Sequence, residues 1–202
     1  MEDPTTVSIT VAAVRYSSLG VDRKGVCSTF LADRLQIDER APIFVHQNPD
    51  FRLPQLLSTP VVMIGPGTGL APFRSFIAHR QSLAQPLEKQ HVGQAVLFFG
   101  CRNEKDFLYG RQLEQWHADG AIVLHVAFSR NAGAPKTYVQ SLIRDQAHAL
   151  LALFEQWAHC YVCGDARNMA PDVDRALRAM LGDQKVDQMS AGGRYQRDVW
   201  FG

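Results

Sequence analysis

The sequence predicts a doubly wound α/β domain over residues 59–202, its parallel sheet covered by helices on both faces. Before it, residues 1–58 supply a few strands and one helix, too few to close a barrel. Three observations carry this. From Pro60 onward the runs VVMIG, AVLFFG, AIVLHVAFS and HCYVCG are apolar at nearly every position. Amphipathic stretches at about 69–84, 104–118, 137–157 and 168–182 separate or follow them. Strands apolar on both faces that alternate with helices build a parallel sheet buried on both sides. Finally, the first run ends in a burst of glycines, GPGTG, immediately before a helical pattern.

In chain order, TVSITVAAVRY (6–16) is rich in β-branched residues that partly alternate, and predicts a strand with one exposed face. RKGVCSTFLADRLQ (23–36) opens on a glycine turn and then sets Val26, Phe30, Leu31 and Leu35 on one helical stripe. APIFVHQ predicts a short strand, and NPDFRLPQLLSTP reads as a proline-punctuated connector. The α/β alternation then begins. Pro72 falls where the first turn of a helix tolerates proline.

A net charge of +1 gives no electrostatic case for nucleic acid or an anionic membrane. No apolar run approaches the roughly 20 residues of a membrane helix, and the first ten residues lack the regions of a signal peptide. The expectation is an intracellular, cytoplasmic chain without a membrane segment, with an anchor upstream left open. Cys160 and Cys163 have the C-x-x-C spacing of a redox pair or half a zinc site. On a strand, however, residues three apart face opposite sides, so two structural cysteines and no metal are expected.

Gly65, Gly67 and Gly69 stand where glycines let a backbone approach a pyrophosphate at a helix N-terminus. The strict G-x-G-x-x-G/A spacing fails at Leu70, and no Gly-Lys-Ser/Thr follows. By itself the turn reads equally as a phosphate cradle and as a plain βα turn. A second cluster, Ser129, Arg130, Lys136 and Tyr138, supplies charge-assisted donors and a flat ring after the third α/β strand. That chemistry suits the 2′-phosphate of NADP rather than the ribose of NAD, which a carboxylate selects. The alternative is a solvated basic loop.

Taken together, FRLP, TPVVMIGPGTGLAPFRSFI, FFGCRNEKDFLY, VAFSR…KTYVQ, HCYVCGDARNMAPDV and RYQRDVW resemble, in order, the C-terminal part of the diflavin reductases, nearest to the cytochrome P-450 reductase branch. The resemblance runs from residue 7 almost to the end of the chain. It implies an FAD-binding antiparallel barrel followed by an NADP(H)-binding domain with a five-stranded parallel core. NADPH would deliver hydride to FAD, FAD would pass electrons singly to FMN in a separate flavodoxin-like domain, and FMN would reduce an acceptor protein.

The resemblance also implies roles. Gly67, Thr68 and Gly69 would contact the pyrophosphate and nicotinamide side, and Arg52 and Arg102 would neutralise phosphates. Ser129, Arg130, Lys136, Tyr138 and Gln140 would hold the 2′-phosphate and adenine, while Asp165 and Met169 would line the nucleotide's approach. Cys163 and Asp198 would align the hydride transfer, in which positioning is the main protein resource. Trp200 would stack on the flavin and move aside for the nicotinamide. Gly25, Val26, Cys27 and Ser28 match the turn and helix that take the FAD pyrophosphate.

The sequence also departs from the family. The flavin motif Arg-x-Tyr-Ser is missing upstream of residue 7; RYSS (15–18) belongs instead to the strand leading into RKGVCS. This leaves a partial FAD site. The stretch MLGDQKVDQMSAGG is short, SRNAGAPK differs in length, and Phe201 and Gly202 follow the tryptophan, so either Trp200 or Phe201 would face the flavin. The expected activity is that of an NADPH-dependent flavoprotein reductase, inactive in turnover as this chain alone. Its partners would be an FMN domain and an acceptor such as a cytochrome P-450, with the parent protein cytoplasmic or tethered to the endoplasmic reticulum. The alternatives are a single-flavin ferredoxin–NADP reductase and a nucleotide-binding module without electron transfer.

Overall fold

The structure is a computed structural model and describes residues 5–84, 92–131, 133 and 135–201. Its centre is a five-stranded sheet of β3 (Val61–Ile64), β4 (Ala95–Cys101), β5 (Val123–Phe128), β6 (His159–Asp165) and β7 (Tyr195–Trp200). The order is β5-β4-β3-β6-β7, and every neighbouring pair is parallel. The first strand of the sheet is therefore its middle. The chain winds outward through β4 and β5, returns across the sheet, and winds outward again through β6 and β7.

The two faces of the sheet bury two cores. Val62, Ile64, Phe98, Cys160 and Val162 meet α4 (Val139–Asp145), α5 (Ala147–Glu155) and α6 (Met169–Leu181) on one face. Val61, Met63, Leu97, Phe99, Tyr161 and Cys163 meet α2 (Ala71–Ala84) and α3 (Gly110–Ala118) on the other. Cys160 and Cys163 thus lie in opposite cores, as strand alternation requires.

All four apolar runs become strands. RYQRDVW, which the runs do not include, supplies the fifth as β7 at the sheet's edge. The first and fourth helical stretches form; the second is helical as α3 only from Gly110, after a short 3-10 turn at Glu104–Asp106, and the third is broken at Gln146 into α4 and α5. A further helix, α7 (Asp183–Ala191), was not expected; it buries Val186 and Met189 and is pinned by Arg178, which salt-bridges Asp174, Asp183 and Asp187.

The first 58 residues differ more from expectation. Among the described residues of this part, only β1 (Arg15–Ser18) and β2 (Val21–Lys24) form a ladder, an antiparallel hairpin leading into α1 (Val26–Asp33). RYSS is therefore β1, as its register predicted. Of the strand expected over 6–16 only Arg15 and Tyr16 are laddered, within β1, and APIFVHQ forms none: among the described residues 6–14 and 41–47 join no ladder, and the bond from the Gly25 N–H to the Val14 carbonyl at 2.9 Å is a single contact at the segment's end. Residues of β-forming type become a strand only when a neighbour takes their N–H and C=O groups. The α1 stripe is likewise incomplete: Val26 and Phe30 are exposed, Leu35 lies beyond the helix, and the buried residue is Thr29, whose hydroxyl donates to the Gly25 carbonyl at 2.7 Å.

Phe51 anchors the connector, stacking on Phe76 and meeting Tyr161 edge-on in the α2-side core. Arg80 of α2 is buried and donates to the carbonyls of Leu57, Thr59 and Gly93. Burial lowers its pKa, and among the described residues its partners are carbonyls rather than a carboxylate.

Candidate dinucleotide site

In an open parallel sheet the strand order reverses where one strand's crossover goes left and the next goes right, and the loops there part to leave a crevice at the carboxyl ends. Here that point lies between β3 and β6. A cleft of about 890 Å³ opens there, and the end of every strand of the sheet contributes to it.

From β3 come Pro66, Gly67 and Thr68. Gly67 has φ +57 and begins a 3-10 turn, Gly67–Leu70, that runs into α2. Gly69 is different. It is buried and absent from the cleft wall, and a Cβ at this position would collide with the Cys163 carbonyl oxygen. Its lack of a side chain lets the turn lie directly on β6.

β4 contributes Cys101, Arg102, Lys105 and Asp106. Asn103 accepts the Lys105 N–H at 3.0 Å and shapes the short turn Glu104–Asp106. The Arg102 guanidinium grips Asp106 with two bonds, 2.7 Å from Nε and 3.2 Å from Nη2. Burial, helped by the nearby Asp106 carboxylate, pushes the Cys101 thiol up to about 11.

Ser129 follows β5, and its N–H donates to the Cys101 carbonyl at 2.9 Å; the Arg130 N–H donates to the Arg102 carbonyl at 2.7 Å. The β4–β5 pairing therefore continues past both strands and sets the two basic residues side by side. Ser129 and the half-exposed Tyr138 line the cleft, as does Gln140, which donates to Asp172 at 3.0 Å. Arg130 and Lys136 are exposed and stand outside the cleft wall.

On β6, Gly164 has φ +136, and a Cβ there would come 3.0 Å from the Met169 methyl and 3.7 Å from the Pro66 carbonyl oxygen. Asp165 lines the cleft, but its carboxylate is engaged. It accepts the N–H groups of Arg167, Asn168 and Met169 at 3.3, 2.7 and 3.2 Å, capping the start of α6. Burial pulls its pKa upward, yet these donors together hold it below the ordinary carboxylate value.

β7 places Asp198 in register with Cys163, and Trp200 in register with Asp165. Trp200 ends the strand and borders the cleft, while Phe201 is more exposed and does not. Cys163 is buried just behind the cleft, and burial followed by the Asp198 carboxylate pushes its thiol up to about 12. Arg52 stands apart on the α2 side: its N–H donates to the Gln196 side chain, its carbonyl accepts from Tyr161, and its side chain is exposed.

The turn at Gly25–Ser28 also lies outside the cleft. The Val14 N–H donates to the Ser28 hydroxyl at 3.1 Å, and Gly25 fits against Val14 so closely that a Cβ would meet it at 2.9 Å. Thr10, Val11 and Ala12 of the same segment wall the cleft, and the Thr10 hydroxyl lies 3.0 Å from that of Tyr109.

The profile of the oxidoreductase NAD-binding domain family matches residues 63–175. The chain belongs to that family. In this NAD-binding domain the matched span begins in β3 and ends in α6, so it holds the switch point and both glycine turns.

The likeness to diflavin reductases extends over nearly the whole chain. It is 42% identical over 211 residues to NADPH oxidoreductase A of Dictyostelium discoideum, covering 99% of this chain and 32% of the relative. It is 42% identical over 215 residues to human NADPH–cytochrome P450 reductase, covering 98% and 31%. With the sulfite reductase [NADPH] flavoprotein alpha-component of Bacillus subtilis the identity is 38% over 210 residues, covering 98% and 34%. The chain spans about a third of the length of these curated relatives.

Sequence reading overlooked several cleft residues. Gly164 carried a signal, a glycine ending a buried strand. Thr137, whose N–H bonds the Phe128 carbonyl, Lys105 and Asp172 carried none, because their place depends on how loops fold back over the strand ends.

Proposed function

We propose that this chain is the NADP(H)-binding part of a diflavin oxidoreductase in which NADPH reduces FAD by hydride transfer and FMN carries electrons on to an acceptor protein such as a cytochrome P-450. One observation carries the reading. A cleft astride the β3–β6 switch point has Ser129 and Tyr138 at one end and Trp200, backed by the Cys163–Asp198 pair, at the other. A dinucleotide laid along it has its adenosine end at β5, its phosphates at β4 and β3, and its nicotinamide at β6 and β7.

In this reading Gly67 and Thr68 offer the turn to the phosphates, and Ser129, Arg130, Lys136, Tyr138 and Gln140 recognise the 2′-phosphorylated adenosine. Arg52 and Gly69 act through packing, and Asp165 and Met169 shape the wall. Cys163, kept neutral by burial, and Asp198 position the nicotinamide face, and Trp200 guards it as a movable aromatic. The first-turn N–H groups of α1, which no helix carbonyl reaches, suit the anionic pyrophosphate of FAD at Gly25, Val26, Cys27 and Ser28. Because this is only part of a flavin site, the isolated chain binds NADP(H) without completing turnover. We divide it at residues 58/59, with Phe51 reaching across into the second unit.

The FMN domain, the acceptor protein and a cytoplasmic or endoplasmic-reticulum-tethered parent belong to the same proposal, and fractionation of the parent protein tests the last. Among the described residues no helix is long and apolar enough to cross a membrane.

Calorimetric titration with NADP⁺ and NAD⁺ tests the central point. NADP⁺ should bind at least about a hundredfold tighter than NAD⁺, since each charged hydrogen bond to the 2′-phosphate contributes roughly 1.5–3 kcal/mol. Arg130→Ala should erase most of that preference. Equal affinity for the two nucleotides would overturn the reading.

A further inference from the structure

We propose that Lys105 is a phosphate-binding residue of the cleft, and that Asp106 governs how far Arg102 can join it. The inference rests on the reading of the cleft as a dinucleotide site and assigns, within it, a ligand that neither the glycine turn nor the basic cluster after β5 includes.

Arg102 is held in a two-bond fork by Asp106. Asp165 is capped by three backbone N–H groups, and Asp172 is shared between Gln140 and Arg175. Lys105 borders the same cleft, is exposed, and makes no ion pair among the described residues. Among the described residues that line the cleft, the cation without an ion pair is therefore the lysine, and the arginine beside it is already neutralised.

Placement says which anion. Lys105 follows β4, and β4 lies between β5, which brings Ser129, and β3, which brings Gly67 and Thr68. A dinucleotide spanning the strand ends sets its bridging phosphates over β4 and β3. The turn holding Lys105 is fixed by the Asn103 side chain through the Lys105 N–H, so the side chain springs from a defined point. A lysine ammonium is a mobile point charge that can follow a phosphate without bidentate geometry.

Asp106 then acts as a competitor. In the Arg102–Asp106 pair the arginine is exposed and the aspartate partly so, and surface pairs of this kind are weak. A pyrophosphate carrying two charges can draw the guanidinium away, at a cost in affinity equal to the bond it must break.

The test is calorimetric titration of the whole chain with NADP⁺ and with 2′-AMP, which carries the 2′-phosphate but no bridging phosphates. Lys105→Ala should weaken NADP⁺ about 10- to 100-fold, the effect of one charge-assisted hydrogen bond, and leave 2′-AMP binding unchanged. Asp106→Asn should tighten NADP⁺ by up to about fivefold, the worth of an exposed pair, again without effect on 2′-AMP. Unaltered thermal unfolding of both variants confirms that the fold is intact. Unchanged NADP⁺ affinity in Lys105→Ala would overturn the proposal, as would an equal loss for 2′-AMP, which would move Lys105 into the 2′-phosphate pocket. Failure of the unmodified chain to bind either ligand would instead overturn the dinucleotide reading beneath it.

Discussion

The Tyr161 hydroxyl donates a 2.7 Å hydrogen bond to the carbonyl oxygen of Arg52, joining the middle of β6 to a connector that precedes the whole sheet. The bond is partly buried beside Phe51 and Phe76, whose rings pack edge-on against Tyr161. Burial pushes the phenol's pKa well up, so it stays a donor at every working pH. Tyr161→Phe keeps the ring packing and strands the carbonyl. Such a loss costs about 1–3 kcal/mol, to be read from the urea midpoint at constant m-value.

Gly69 and Gly67 should fail for different reasons when replaced. Gly69→Ala drives a methyl into the Cys163 carbonyl oxygen, an overpacking that costs roughly 1–3 kcal/mol. Gly67→Ala meets no atom within 4 Å but must hold φ +57, a strain of about 1–2 kcal/mol. Chemical denaturation measures both. Crystallography of the variants would show β6 displaced from the turn only in Gly69→Ala.

Asp165 makes stability depend on acid. Its pKa is lower in the fold than in the unfolded chain, where a carboxylate titrates at about 3.9. The unfolded state therefore binds the proton more readily, and stability rises with pH through this window. The contribution is fully present above the unfolded value and lost as pH falls through the folded one. Asp165→Asn keeps an acceptor but removes the charge, and should flatten the fall in melting temperature below about pH 4. Asp165→Ala should lose roughly 1 kcal/mol at neutral pH, as for other helix caps.

The four cysteines should alkylate in a fixed order. Cys27 is exposed, whereas burial raises the pKa of Cys101 to about 11, that of Cys163 to about 12 and that of Cys160 further still. Since the thiolate is the nucleophile, iodoacetamide at pH 8 should modify Cys27 long before the others. Peptide mass spectrometry over time reads the order; early loss of Cys160 would mean that the sheet opens locally.

What could be read in advance follows from which forces act locally. VVMI and HCYVCG announce themselves because a strand buried on both faces must be apolar throughout. Edge strand β7, with Arg197 exposed and Tyr195 buried, shows no such run, and only its likeness to a known motif marked it. In α7 just Val186 and Met189 are buried, too thin a stripe to signal a helix. The opposite error arose at 6–14 and in APIFVHQ, where Val7, Ile9 and Phe44 have strand-forming side chains but are exposed and unladdered. The site divides similarly. Gly67, Ser129 and Trp200 sit at strand ends, where sequence order gives their place. Lys105 and Thr137 reach the cleft only through loop geometry.

The strand order also bears on how the chain is made. Val61, first to leave the ribosome among the sheet's residues, pairs with Ala95 on one side and with His159 on the other. During vectorial synthesis β3, β4 and β5 can assemble while one flank of β3 is still bare. That flank is a run of four apolar residues, the kind of open edge that recruits other chains. It is sealed only when β6 emerges. Translation speed between α3 and β6 therefore sets how long the nascent chain is exposed to aggregation, and slowing it there should lower soluble yield.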